Sequence, residues 1–277
     1  SKLAETLHDA TSLGMSQLAL GLTDSVTHAC DALGPHDPHT LSPRNELART
    51  YRDAGRLDKA IALYEQTLEG SVRVLGTDHP GTLTSRFNLA GAYRDAGRLD
   101  EAITLYEQVF SSRSRVLGTD HPRTLTSRLN LAGAFREAGR LDEAIALNQE
   151  NLEEFNRLAG PDHPHTLSSR GTLAGAYRDA GRLDEAIPLF GQNLADVART
   201  LGLDHPETLA SRHSLAGAYQ AAGRLDEAIP LFEQNLEDRT RTLGPAHPVT
   251  LTSRGNLADA YRAAGRFEDA EKLFGTP

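Results

Sequence analysis

Apolar residues in this chain fall on two successive helical stripes, and the pair of stripes recurs. After Asp78-His79-Pro80, residues Leu83, Leu89, Ala90 and Tyr93 share one face of a helical stretch that Gly97 interrupts. A second stretch from about Asp100 carries Ala102, Ile103, Leu105, Tyr106 and Phe110 on its own face. The layout returns every 42 residues, counted from Leu33, Leu75, Leu117, Ala159, Leu201 and Leu243, each followed by Gly. A fixed period of roughly 20–50 residues predicts a stacked array in which each repeat is one supersecondary unit. Six repeats follow from it, 33–74, 75–116, 117–158, 159–200, 201–242 and 243–277, forming one continuous all-α array. Residues 1–32 read as a degenerate opening helix pair, with Leu18, Leu22, Val26 and Ala29 on one face, expected to cap the stack.

The boundaries of each helix carry local signals. Asp78 or His79 is expected to cap the first helix, with Pro80 in the first turn, where a missing N–H costs nothing. Gly97 is expected in the left-handed conformation that ends a helix. Asp100 is placed as the cap of the second helix, with Glu101 favouring its dipole, and Gly118 closes the repeat. One pair of helices has too little apolar surface to fold alone. At ~25 cal/mol per Å² buried, contacts between repeats dominate stability.

The recurring set Leu89-Ala90, Tyr93, Gly97, Ala102 and Tyr106 resembles the tetratricopeptide repeat pattern. It returns as Leu131-Ala132, Phe135, Gly139 and Ala144, and as Leu173-Ala174, Tyr177, Gly181, Ala186 and Phe190. The repeat length, the Leu-Gly-x-Asp-His-Pro linker, and Ile187-Pro188 and Ile229-Pro230 early in second helices look like the kinesin light chain subtype. The resemblance covers about residues 33–277. It implies a right-handed superhelical solenoid of antiparallel helix pairs, with a concave groove lined by first helices that takes a peptide or partner domain. Arrays like these are common in actinobacterial proteins, often as the sensor or partner-binding part of larger signalling NTPases. Chaperone-tail-binding members hold a terminal carboxylate with Lys and Asn. Asn88, Asn130 and Asn256 are present here, but the Lys is absent and Gly replaces the second Asn.

Composition narrows the partners. The net charge is −9, which disfavours nucleic acid as the main ligand. No run of about 18 apolar residues exists to span a membrane. Cys30 is the only cysteine, so an internal disulfide is excluded and a reducing, cytoplasmic setting is expected. No phosphate-cradling Gly-rich loop and no Gly-x-Ser-x-Gly elbow is present, so catalysis, cofactors and metals are not expected. The repeated histidines at 79, 121, 163, 205 and 247 lie one repeat apart, too far to share an ion.

Candidate binding residues come from columns, the same position read across repeats. One column reads Arg52, Arg94, Arg136, Arg178, Gln220, Arg262. It is either a ladder of guanidinium forks for an acidic protein or peptide segment, or a solvated face in which each Arg pairs with an acid of the adjacent repeat. Loss of that acid at Ala221 and Ala263 leaves Arg262 less obviously paired. A neighbouring column reads Asn45, Phe87, Leu129, Gly171, His213, Gly255, and its variation among near-identical repeats is either the mark of a specificity column, with Phe87, Leu129 and His213 as selectors, or drift at an exposed site. The Gly91, Gly133, Gly175, Gly217 column is expected to allow close approach, either of a neighbouring helix or of a ligand. Two uniform Arg columns, from Arg44 and Arg56 onward, are expected to pair with second-helix carboxylates such as Glu65 or Glu107, or with helix-end carbonyls. Asn148 stands in a core column that otherwise holds Tyr or Phe. Self-assembly into a dimer or filament through the last repeat is the alternative to partner binding.

Overall fold

The computed structural model describes residues 27, 28, 30 and 38–275. From residue 38 onward the described chain forms twelve helices and no strand. They are α1 Pro38–Asp53, α2 Leu57–Leu75, α3 Pro80–Asp95, α4 Leu99–Leu117, α5 Pro122–Glu137 and α6 Leu141–Ala159. α7 Pro164–Asp179, α8 Leu183–Leu201, α9 Pro206–Ala221, α10 Leu225–Leu243, α11 Pro248–Ala263 and α12 Phe267–Lys272 complete the order. The expected capping pair over 1–32 lies outside the described residues apart from 27, 28 and 30, as does the start of the first repeat. Two compact halves result, 1–140 with α1–α5 and 141–277 with α6–α12. Within each half every helix packs on the next in sequence, and first helices of successive repeats also touch, α1 with α3 and α7 with α9. The fold is therefore all-α, built of stacked helix pairs.

The first helices α3, α5, α7, α9 and α11 begin in one way. His79 sits in extended backbone and its Nδ1 accepts the N–H of Gly81 at 3.1 Å, with Pro80 in the first turn. His121, His163, His205 and His247 do the same for residues two further on. The accepting Nδ1 fixes the proton on Nε2. The aspartate before the histidine has another task. Asp78 binds Arg115 at 2.8 Å, Asp162 binds Arg199 at 2.5 Å, and Asp204 binds Arg241, so the linker is tied to the end of its own repeat's second helix.

Each first helix also ends in one way. Arg98 N–H donates to the Tyr93 carbonyl and Gly97 N–H to that of Arg94, with Gly97 at φ +73°, which is a Schellman turn. The residue after the glycine is Arg98, and its guanidinium lies 4.2 Å from the Tyr93 ring centre. That contact takes the place of the usual apolar one across the turn and adds a cation–π attraction. Arg140, Arg182, Arg224 and Arg266 repeat it on Phe135, Tyr177, Tyr219 and Tyr261.

One expectation needs correction. Asp100 does not cap α4: Arg98 holds the cap position without a side-chain bond, and Asp100 lies in the first turn. Arg98 does pair with a second-helix carboxylate, that of Glu101 in its own repeat at 2.9 Å, in place of Glu65 or Glu107. Glu65 instead accepts the Tyr93 hydroxyl at 2.6 Å, and burial together with this bond pushes Tyr93 up to about 12. In the column from Arg44 the partners of Arg128, Arg170 and Arg212 come from second helices, as expected. Arg170 binds Asp196 at 2.6 Å and Arg212 binds Asp238 at 2.5 Å, and Arg128 lies over the Phe110 ring.

The core is thin and rich in alanine. Ala60, Ala90, Ala92, Ala102, Ala132, Ala174, Ala186, Ala216 and Ala228 are at most 1% exposed, beside Tyr64, Tyr106, Phe190 and Phe232. Asn148 is buried in the column of those rings, and its Oδ1 has no hydrogen-bond partner among the described residues. Replacing His79 with Ala is expected to lower unfolding stability by ~1 kcal/mol, while His79→Asp, which restores an acceptor, keeps most of it. Urea midpoints of the three proteins check this, and equal midpoints for Ala and His would remove the capping role.

Candidate functional site: the first-helix face

The Arg column and the variable column both lie on first helices. In the first half Arg52 and Arg94 are half-buried, and they meet acids of the next repeat as well as their own. Arg52 Nε is 3.6 Å from Asp95, and Arg94 is 3.9 Å from both Asp95 and Glu137 and 3.5 Å from Asn130 Oδ1. Alternating charges thus run from α1 to α5, linked at distances longer than a direct hydrogen bond. Arg136 lies exposed on α5.

In the second half the pairing changes. Arg178 binds its own Asp179 at 3.0 Å, and Gln220 is half-buried on α9. Arg262 is not left without an acid, contrary to the expectation drawn from Ala263. It binds Asp259 at 2.7 Å, because aspartate there occupies the position that is Gly in four other repeats.

Those glycines make room for the ladder, at least in the first half. A Cβ on Gly91 would come within 3.1 Å of Arg52 Nη1 and 3.4 Å of the Tyr106 hydroxyl. A Cβ on Gly133 would meet Arg94 Nη1 at 3.9 Å. The close approach is by the arginine side chain of the preceding repeat, not by a helix backbone.

All six residues of the variable column, Asn45, Phe87, Leu129, Gly171, His213 and Gly255, are partly exposed. Phe87 meets the Tyr106 ring edge-on at 5.4 Å, and His213 meets Phe232 in the same way at 5.5 Å. Asn45 donates to Ser85 at 3.1 Å. These side chains rest on their repeat's second helix or bridge to the next first helix.

Two residues that sequence reasoning passed over lie beneath this column. Arg113 and Arg239 project from second helices and are only 6% and 8% exposed. Arg113 Nη1 donates to Ser127 Oγ at 2.8 Å and to the Arg123 carbonyl at 3.2 Å, and Arg239 Nη1 donates to Ser253 Oγ at 2.7 Å. Burial lowers both side chains from the ordinary arginine range, with the Arg123 charge adding to it at Arg113. The signal was available: Arg113 continues the apolar stripe of Ala102, Tyr106 and Phe110, where a charge is out of place.

A stack of helix pairs joined by short glycine turns defines the class of helical-repeat proteins. The tetratricopeptide repeat family matches residues 39–114, 87–153, 129–195, 170–234 and 207–275, and the chain belongs to that family. It is 37% identical to a kinesin light chain-like protein of Podosopora anserina with nearly identical TPR-like repeats. That match covers 74% of this chain and 98% of the other, with a TM-score of 0.69. Two solved structures of lower identity share the fold. One is a signal transduction ATPase with numerous domains and a tetratricopeptide repeat sensor from Pyrococcus horikoshii, at 14% identity and TM-score 0.74, covering 99% of this chain and 40% of that one. The other is a Rap protein complexed with Competence and Sporulation Factor, at 11% and 0.53, covering 98% and 94%. A comparison with curated proteins finds no match. Among the described residues no helix is long and apolar enough to cross a membrane.

His213 gives the face a pH response. Burial holds its imidazole below the ordinary range, and the charges of Arg239 and Arg178 add to this. In the unfolded chain it takes a proton near pH ~6.5. Below that pH the unfolded state binds the proton and the folded state does not, so stability falls as pH falls through this window. His213→Phe is expected to flatten the decline in melting temperature between about pH 7.5 and 5. Parallel curves for both proteins would show that His213 makes no contribution.

Proposed function

We propose that the chain is a non-catalytic binding module that holds a protein or peptide segment against its first-helix face. The variable column carries this reading. Six partly exposed positions differ in chemistry from repeat to repeat, beside core columns that stay almost constant and buried, such as Leu89, Leu131, Leu173, Leu215 and Leu257. Constancy serves packing, whereas variation on an open face can choose a ligand.

The Arg column supports an acidic ligand. Arg52 and Arg94 hold their acids at 3.6–3.9 Å, leaving the guanidinium forks able to take a ligand carboxylate at closer, bidentate distance. The fold is compatible with such use, since the P. horikoshii ATPase carries its repeats as a sensor and the Rap protein holds a factor. Carried to this chain, the reading is that of the interaction or sensor part of a larger signalling protein. The test is a display library of acidic decapeptides selected on the chain. Arg94→Glu with Arg136→Glu is expected to cut binding of the enriched peptides about tenfold or more, with little change in melting temperature. Undiminished binding would refute the anchor role of the ladder.

A second reading is self-association through the last repeat. Phe274 is 57% exposed, in the column where Tyr64, Tyr106, Phe190 and Phe232 are at most 4% exposed, and Phe267 is 64% exposed. A second copy stacked there would cover both rings. Sedimentation velocity is then expected to show a concentration-dependent dimer that Phe267→Ser with Phe274→Ser abolishes, and a single monomeric species at all concentrations excludes this reading.

A further inference from the structure

Between successive first helices the chain normally closes its own surface from below. At the first such step Asn45 bonds Ser85, which also meets Ser71 at 3.4 Å. At the second, Phe87 covers Arg113, whose guanidinium lies 5.1 Å from the ring centre and bonds Ser127. In the second half, the step under His213 is filled by Arg239, which bonds Ser253.

The step between α7 and α9 is different. Two repeats on from Phe87 stands Gly171, two repeats on from Arg113 stands Val197, and Ser211 keeps the place of Ser127. Both space-filling side chains are missing together. What remains is a cavity of about 220 Å³ lined by Gly171, Asn193, Val197, Glu207 and Ser211, among others. Ser211 is half-exposed, whereas Ser85, Ser127, Ser169 and Ser253 in the same column are at most 2% exposed.

The cavity is polar at its floor and at its mouth. Asn193 is 94% buried, its Oδ1 has no hydrogen-bond partner, and its Nδ2 makes only a long 3.4 Å contact to Ser211 Oγ. Asn151 and Asn235 hold the same column position with unpaired amides at 0% exposure, whereas Asn193 turns its Nδ2 towards Gly171 and Ser211 and keeps its Oδ1 buried. Glu207 brings a carboxylate to the mouth, where the other repeats carry His39, Gly81, Arg123, His165 and Val249. Its backbone carbonyl corresponds to that of Arg123, which accepts from Arg113.

We propose that this cavity receives an arginine side chain of a bound peptide, whose guanidinium takes the place that Arg113 and Arg239 fill from within. The ligand fork donates to Ser211 Oγ and the Glu207 carbonyl, as Arg113 does to their counterparts. The Glu207 carboxylate balances its charge. A lysine offers a compact point charge and no planar fork. An aliphatic side chain would leave the Glu207 carboxylate at the mouth without a counter-charge. Drug-sized ligands need roughly 300–1,000 Å³, so the space suits one long side chain. This inference rests on the reading of the first-helix face as a peptide-binding surface, and it makes the ligand mixed in charge, with acids for the ladder and an arginine for the cavity.

The probe is Nα-acetyl-arginine methylamide, titrated into the full, isotope-labelled chain and followed by amide NMR shifts. Saturable shifts are expected at Gly171, Val197 and Ser211, with the neutral citrulline analogue about tenfold weaker and the lysine analogue in between. Val197→Arg, which supplies an internal guanidinium, and Gly171→Leu, which fills the space with a side chain, are each expected to abolish the shifts. Circular dichroism identifies the variants that fold, and Gly171→Leu decides if Val197→Arg does not. No saturable shift, citrulline binding as well as arginine, or an undiminished response in a folded variant overturns the proposal. The probe needs no natural partner. Loss of acidic-peptide binding on Arg94 and Arg136 reversal with a silent cavity leaves the groove reading standing and removes this one.

Discussion

Helices in this chain approach closely only because alanine stands where they cross. A larger side chain at Ala90, Ala102, Ala174 or Ala186 would have to displace a neighbouring helix, since these positions have essentially no free surface. Phe190 and Phe232 each pack among residues of their own helix pair and of the next first helix. Stability therefore belongs to the junctions between neighbours. A repeat removed from its neighbours would expose the apolar faces that hold it, which is why the pattern has to recur to be useful.

A core this thin brings charge close to the interior, and the chain handles it by local devices. At the turns of Arg98, Arg182, Arg224 and Arg266 the guanidinium lies over the aromatic ring near the end of the first helix and pairs with an acid in the following turn. The turn glycine supplies the backbone geometry, and the arginine covers the ring that this geometry would otherwise expose. In the column from Arg44, Arg170 and Arg212 have the carboxylates of Asp196 and Asp238 opposite them, and Arg128 lies over the ring of Phe110. Buried ion pairs of this kind contribute little net stability when intact but are costly to break, so partner and arginine are expected to change together.

The functional surface follows from the same economy of packing. First helices give their inner columns to the junctions and keep two columns partly open. One of them, the arginine column, is loosely compensated by acids in the first half and differently compensated in the second. The other rests on second-helix side chains that differ from step to step. Where both the upper and lower residues are small, as at Gly171 and Val197, the surface opens into a polar cavity. Selectivity in such a face comes from what each step leaves unfilled as much as from what it displays.

Much was legible beforehand. The period of the apolar pattern fixed the helix pairs and their order, because one helical face per element has to be buried and only the neighbouring repeat is available to bury it. The glycines marked the turns, because positive φ excludes most other residues there. The histidines before proline were read as helix-start residues, and they are. The choice between Asp78 and His79 as the cap was not legible, since both can accept a hydrogen bond. It depends on where the end of the second helix brings Arg115, a contact across 37 positions of chain. For the same reason the partner of Arg262, the burial of Arg113 and the cavity at Gly171 appear only in three dimensions. Each depends on the coincidence of side chains from three different helices, and a column read one position at a time cannot show which residues it will meet.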